Sequence, residues 1–284
     1  MGSDRLGTVF HESFSLSRQS INRILKAIFE NPKIATVGQA EREIIFRDTT
    51  TLGTRQVKST ARYARGIGAI DPKNLLSPFG EYILRHDPLM DQMGTQWLMH
   101  YHLSAPHGPG PAFWNELVLT RFRPGDDFTR NDIIEQIAEF YKQNEGKSIS
   151  IEDSVKPTAA VFLSTYTKSE AMGGLGLLEE TAKDHYHVVE PIPPSVWVLA
   201  LALLDYWQAN FQDRVAINLG DLYNERSLAS LFMVGSGRIN AMLFEMQNDG
   251  YVEIYRISPP YTVALLKQDV NYLLKRLYGA DPAL

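Results

Sequence analysis

Ile21, Ile24, Leu25 and Ile28 recur at three- and four-residue intervals, the rhythm of one helical face, and predict a helix running to about Phe29. Ser17 or Ser20 can cap its start, and Asn31-Pro32 stops it. A more polar helix is expected near Gly38 to Phe46, and a third from about Gly53. After Arg65 the run Gly-Ile-Gly-Ala-Ile-Asp-Pro reads as a helix end giving way to a tight turn. A short extended piece at Leu75–Pro78 and a short helix from Phe79 to Leu84 follow. Three helices, a glycine turn and an extended segment are the order of a winged helix-turn-helix.

The middle of the chain has helical periodicity. Helices are expected over Asp91–Leu103 and Trp114–Leu119, from Thr129 with Ile133, Ile134, Ile137 and Phe140 inside, and over Val155–Tyr166. Asn144–Lys147 reads as a loop, Ala171–Gly174 as a break and His185–Val189 as a short strand. Proline-rich 191–194 marks a boundary. Beyond it, Val196 to Leu204 is apolar without interruption, which fits a buried helix and is too short to cross a bilayer. A short helix at Ser227–Met233, a glycine turn, a helix at Arg238–Gln247, a strand at Tyr251–Tyr255 and a turn into Tyr261–Leu266 repeat the winged-helix order. The predicted fold is therefore mainly α: tandem winged helix-turn-helix modules with a helical middle and small β-hairpin wings. The predicted domains are 1–90, 91–194 and 195–284.

Charge changes the picture at one place. The chain of 284 residues has a formal charge of −5, which argues against coating a polyanion by bulk attraction. Between Gly53 and Arg65, however, stand four cations and no acid. Arg55, Lys58, Arg62 and Arg65 fall on one helical stripe, while Val57, Ala61 and Ala64 form a second, apolar one. Such a helix can pack on its neighbours and present guanidinium groups outward to phosphates. Arg55 and Gln56, at the helix start, are placed for base edges, and Lys58, Arg62 and Arg65 for the backbone. The bland alternative is a solvated helix face. The counterpart helix at Arg238–Gln247 is less basic and includes Glu245.

Other constellations carry less. Cysteine is absent, which removes disulfides and thiolate metal sites and fits a reducing, cytoplasmic setting. No charged-then-apolar leader pattern opens the chain, and no membrane partner is expected. His100 and His102 are two apart on a helix and make a poor chelate, whereas His185 and His187 share a face if they lie on a strand. No His-Glu-x-x-His spacing occurs, so no metal site is assigned. His11-Glu12-Ser13 reads as loop bonding. Asp126-Asp127, Glu152-Asp153 and Glu179-Glu180 read as charged loops and helix starts, with Glu179, Glu180, Lys183 and Asp184 the group that a metal-dependent nuclease would need to converge. Gly173-Gly174-Leu175-Gly176 lacks the Lys-Ser/Thr of a phosphate loop.

Several segments in order, Phe10–Phe14, Leu76–Gly80, Thr95–His100, Phe162–Tyr166 and Leu203–Trp207, carry a resemblance. The chain from Phe10 to about Leu266 resembles the bacterial domain-of-unknown-function family 4007. The resemblance implies a DNA phosphorothioation defence system that replaces a backbone oxygen by sulfur on one strand. It implies as partners DNA, a cysteine desulfurase, a sulfotransfer enzyme and an ATPase, and as activity DNA binding with nicking of one strand. No cofactor is implied beyond magnesium in the nicking reading. Acids would be expected near Thr158 and Ala160, where this chain has none. A winged-helix transcriptional regulator and a protein-interaction scaffold, the latter contacting partners through Tyr255 and Tyr261, are the rival readings.

Overall fold

The computed structural model describes residues 5–145, 149–224 and 226–279 and divides the chain into two compact units that meet at Ile192/Pro193. Among the described residues it is mainly helical, with small antiparallel sheets. The first unit holds α1 (Arg18–Glu30), α2 (Gln39–Thr50), α3 (Thr54–Gly66), α4 (Pro78–His86), α5 (Met93–Ser104), α6 (Ala112–Arg121), β1 (Asp127–Thr129), α7 (Arg130–Glu145), α8 (Lys156–Thr167), β2 (Leu178–Ala182) and β3 (His185–Val188). The second holds α9 (Val196–Asn210), β4 (Ala216–Asn218), α10 (Leu228–Leu231), α11 (Ser236–Asn248), β5 (Val252–Tyr255), β6 (Thr262–Leu265) and α12 (Val270–Tyr278).

The periodic apolar residues of α1 are its buried face: Ile21, Ile24, Leu25 and Ile28 are all in the core, and the Ser17 side chain caps the helix by accepting from the Ser20 N–H. Helices α1, α2 and α3 pack on one another. Where a wing is expected after α3, the chain makes an antiparallel bridge between Ile70 and Leu76. Ser77 ties this segment down, its N–H donating to the Ala69 carbonyl and its hydroxyl to that of Gly68. It also caps α4 by accepting from the Gly80 N–H. Helix α4 lies so close to this segment that a Cβ on Gly80 would stand 2.0 Å from the Ala69 oxygen.

The rest of the first unit is built on aromatic packing around a hydrogen-bonded tyrosine. Trp97, Trp114, Phe162 and Tyr166 are buried. Trp114 Nε1–H donates to the Tyr166 hydroxyl at 2.8 Å, and His100 Nδ1 lies 3.0 Å from that hydroxyl. Burial raises the Tyr166 pKa, so the phenol stays neutral and available to both. Arg18 bonds the carbonyls of Leu89, Met90 and Ser169 and the Asp91 carboxylate, tying the start of α1 to two loops distant in sequence.

Strands β1, β3 and β2 form an antiparallel sheet in that order. Strand β3 forms where the sequence predicts one, at His185–Val189, ending one residue earlier. The loops or helix starts expected at Asp126-Asp127 and Glu179-Glu180 give way to strand, with Asp127, Glu179 and Glu180 on β1 and β2. Cross-strand pairing overrides their low β-propensity at these exposed positions. The loop expected at Asn144–Lys147 begins later: α7 continues through Asn144 to Glu145, and the remainder lies outside the described residues.

In the second unit the apolar run forms α9, with Val198 through Leu204 buried and α10, α11 and α12 packed on it. Helices α10 and α11 are followed by the β5–β6 hairpin, and β4 joins the sheet beside β6 to give the order β4–β6–β5. Strand β4 has three residues and no apolar alternation long enough to be predicted.

Gly80→Ala should force α4 away from Ala69 and lower stability by about 1–3 kcal/mol. Urea unfolding followed by circular dichroism measures this, and an unchanged midpoint would contradict the close approach.

Candidate nucleic-acid interface

Helix α3 is fixed in rotation by what it buries. Val57, Thr60, Tyr63 and Ala64 face the core, and the Tyr63 hydroxyl donates to the Phe14 carbonyl at 2.9 Å. The buried stripe is thus broader than the Val57–Ala61–Ala64 line read from sequence. The large side chain that anchors it is Tyr63, while Ala61 sits at the flank against a cleft. This rotation sets where the five predicted residues stand.

Arg55 is exposed at the helix start and makes no ion pair among the described residues, and Gln56 beside it is half-buried. Lys58 Nζ lies 3.4 Å from Glu43 Oε2 on α2. Arg62 Nη1 donates to Glu12 Oε1 at 2.8 Å and to the Phe10 carbonyl at 3.2 Å. Arg65 is half-buried. Both carboxylate partners come from segments that a stripe drawn on one helix cannot show.

Two clefts border the ridge, and Arg62 and Arg65 line both. One, of about 220 Å³, lies between α2 and α3. It adds Arg42 and Lys58 to those two arginines, with Glu43 as its acid. Arg42 is held there by hydrogen bonds to the Ile34 and Val37 carbonyls. The other, of about 470 Å³, is walled by 5–10 and Glu12 and contributes Arg5. The Arg5 guanidinium bonds the carbonyls of Gly110 and Pro106, and burial lowers its pKa. Cations outnumber acids in each cleft, so both suit an oxyanion. The Lys58–Glu43 and Arg62–Glu12 pairs are partly exposed. Such pairs are worth about 0–1 kcal/mol, little enough for a phosphate to displace the carboxylate.

A strained turn delivers Glu12. Glu12 and Ser13 have φ of 47° and 67°, and the Phe14 N–H closes the turn on the His11 carbonyl at 2.7 Å. Two successive non-glycine residues in the left-handed region cost energy that the surroundings must offset. His11 supplies much of that. It is fully buried, and its Nδ1 accepts from the Ser13 N–H at 2.9 Å. Nε2 therefore carries the proton and donates to Thr158 Oγ1 at 2.9 Å, while the Thr158 hydroxyl donates to the Ser154 carbonyl. The histidine is neutral by construction, and burial lowers its pKa to about 4 despite Glu12. His11-Glu12-Ser13 is thus a loop-bonding segment as read, with His11 rather than the other two as its centre. Thr158 is spent in the same network.

The remaining constellations do not converge. Glu179 and Glu180 are neighbours on β2 and point to opposite faces of the sheet, so they cannot share an ion. Asp127, His187 and Glu179 stand in register across the sheet, with His187 Nδ1 2.9 Å from Asp127 Oδ1. Asp184 pairs with Arg130 at 3.0 Å. His100 is a core residue, and His102 packs on Phe79. Among the described residues no three His, Asp or Glu side chains gather as a metal set, and no helix is long and apolar enough to cross a membrane.

Comparison with known proteins gives two findings. A family model described as protein of unknown function (DUF4007) matches residues 11–259. The fold is similar to a crystal structure of magnesium ion-bound SspB, with TM-score 0.76 and 15% identity over 97% of this chain and 90% of that one. A second SspB crystal structure gives TM-score 0.75 and 16% identity over the same shares. Curated proteins yield no match.

Folded His11 takes up a proton less readily than the unfolded chain, so its contribution to stability is complete above about pH 6.5 and is lost as pH falls toward 4. The native protein should lose about 2–3 kcal/mol more over that interval than His11→Gln, whose amide does not titrate. Denaturant unfolding of both proteins at several pH values checks this; parallel pH profiles would contradict it.

Proposed function

The chain belongs to the DUF4007 family, and from that premise we propose that it is the DNA-binding component of a bacterial DNA phosphorothioation system, gripping the duplex through α3. The observation that carries the reading is the α3 ridge, with Arg55, Lys58, Arg62 and Arg65 on one helix and two cation-rich clefts sharing Arg62 and Arg65. In this reading α1–α3 act as a helix-turn-helix and α10, α11 and the β5–β6 hairpin as a winged-helix module. Arg55 and Gln56 meet base edges, and Lys58, Arg62 and Arg65 meet phosphates.

The likeness to SspB structures supports the same setting at the level of fold. A chain without cysteine has no thiol to carry sulfur, so a cysteine desulfurase and a sulfotransfer enzyme would deliver it, with an ATPase as the third protein partner. Magnesium belongs to that relative's crystal. The proposal for this chain concerns the grip on DNA, and incubation of supercoiled plasmid with magnesium or EDTA separates simple retention from strand nicking.

Gel retardation across a salt series tests the grip. A four-cation contact predicts a log–log slope of about −3 to −4, and Arg55→Gln should make it shallower by about 0.9. Glu43→Gln, which releases Lys58 from its carboxylate, should tighten binding to every sequence. Equal affinity of Arg55→Gln/Lys58→Gln and the native chain would end the proposal.

A further inference from the structure

The second unit carries a site of different chemistry. A cleft of about 490 Å³ is lined by Asn218, Asp221, Tyr223, Asn240, Arg256 and Tyr261, drawn from the end of β4, the turn after it, α11 and the β5–β6 hairpin. Its polar groups are prearranged. Asn240 Oδ1 accepts from the Tyr223 hydroxyl at 2.6 Å and from Arg256 Nη2 at 3.0 Å. The Arg256 guanidinium lies 4.5 Å over the Phe244 ring and 5.9 Å from the Tyr261 centroid. Tyr261, which lines the cleft, is 42% exposed, so a planar ring is held there in contact with water. The Tyr261 ring is partly exposed, while its backbone is bound into the fold, its carbonyl accepting from the Leu219 N–H at 2.9 Å.

An aromatic face, an arginine held by Asn240, amides and one carboxylate make a site for a flat heterocycle bearing both donors and acceptors. One carboxylate against a single arginine in the lining disfavours a polyphosphate, and the polar walls disfavour an aliphatic ligand. We propose that this cleft takes an unpaired nucleobase, stacked on Tyr261, with its hydrogen-bonding edge toward Asp221 and the asparagines and its phosphate beside Arg256. A base can enter only when its partner strand is displaced, so the site selects unpaired over paired DNA. The inference rests on the reading of the chain as DNA-binding but on none of the α3 residues.

Fluorescence anisotropy with the full chain and labelled dT12, dA12 and a 12-base-pair duplex tests it. Tyr261→Ala should weaken both unpaired oligonucleotides about five- to 150-fold, the effect of losing one stacked base, and leave the duplex unchanged. Tyr261→Phe, which keeps the ring, should bind like the native chain. Thermal unfolding verifies that both variants are folded. Competition by dAMP that is lost in Tyr261→Ala supports a site that recognises the base alone. Failure of dAMP to compete, with the Tyr261→Ala loss intact, supports a site that needs the strand. Equal binding of dT12 and dA12 by Tyr261→Ala and native chain, an equal loss in Tyr261→Phe, or no binding of unpaired DNA overturns the proposal. Duplex retention reads the α3 ridge and the unpaired-strand difference reads Tyr261, so either can fail alone.

Discussion

The burial of Tyr63 sets the geometry of the amino-terminal helices. With that ring in the core and its hydroxyl on the Phe14 carbonyl, α3 has one permitted rotation. The cations then lie on the far side together. Phe14 ends the turn that bears Glu12, so the same hydrogen bond couples the helix to the segment supplying one of its carboxylates. A helix with Val57 and two alanines alone on its inner face would have little to resist rolling, and the order of charges along its outer face would carry no fixed meaning.

The same economy recurs in the core of the first unit. Tyr166 serves both Trp114 and His100, and His11 serves both the Ser13 amide and Thr158. In each case a buried polar group is tolerable because its partners are complete, and each residue then holds together elements far apart in sequence. His100, weighed in the sequence as half of a poor chelate, is a core residue for this reason.

The helices were the legible part of the chain. The Ile21–Ile28 spacing, the short helix expected at Phe79–Leu84 and the unbroken apolar run of α9 each express a local rule, and the structure follows them. The family was legible too, through segments in order from Phe10 to Trp207. Strands β1, β2 and β4 were not, because three to five residues give no period to read and their pairing partners lie elsewhere in the sequence. The stripe on α3 could be drawn from residue spacing alone. Its pairing with Glu12 and Glu43 could not, since those acids lie about 50 and 15 positions away and meet it only through tertiary packing. The cleft around Arg256 was hidden likewise: Tyr261 was visible as an exposed aromatic, but nothing linear joins it to Asn218 or Asn240.

Lys58 and Arg62 already hold carboxylates, and in the proposed reading this makes the ridge behave as an ion exchanger. An arriving phosphate trades places with a glutamate of the same charge, so the net gain is the small difference between two similar partnerships. When the phosphate leaves, the glutamate is at hand to take the vacated cation.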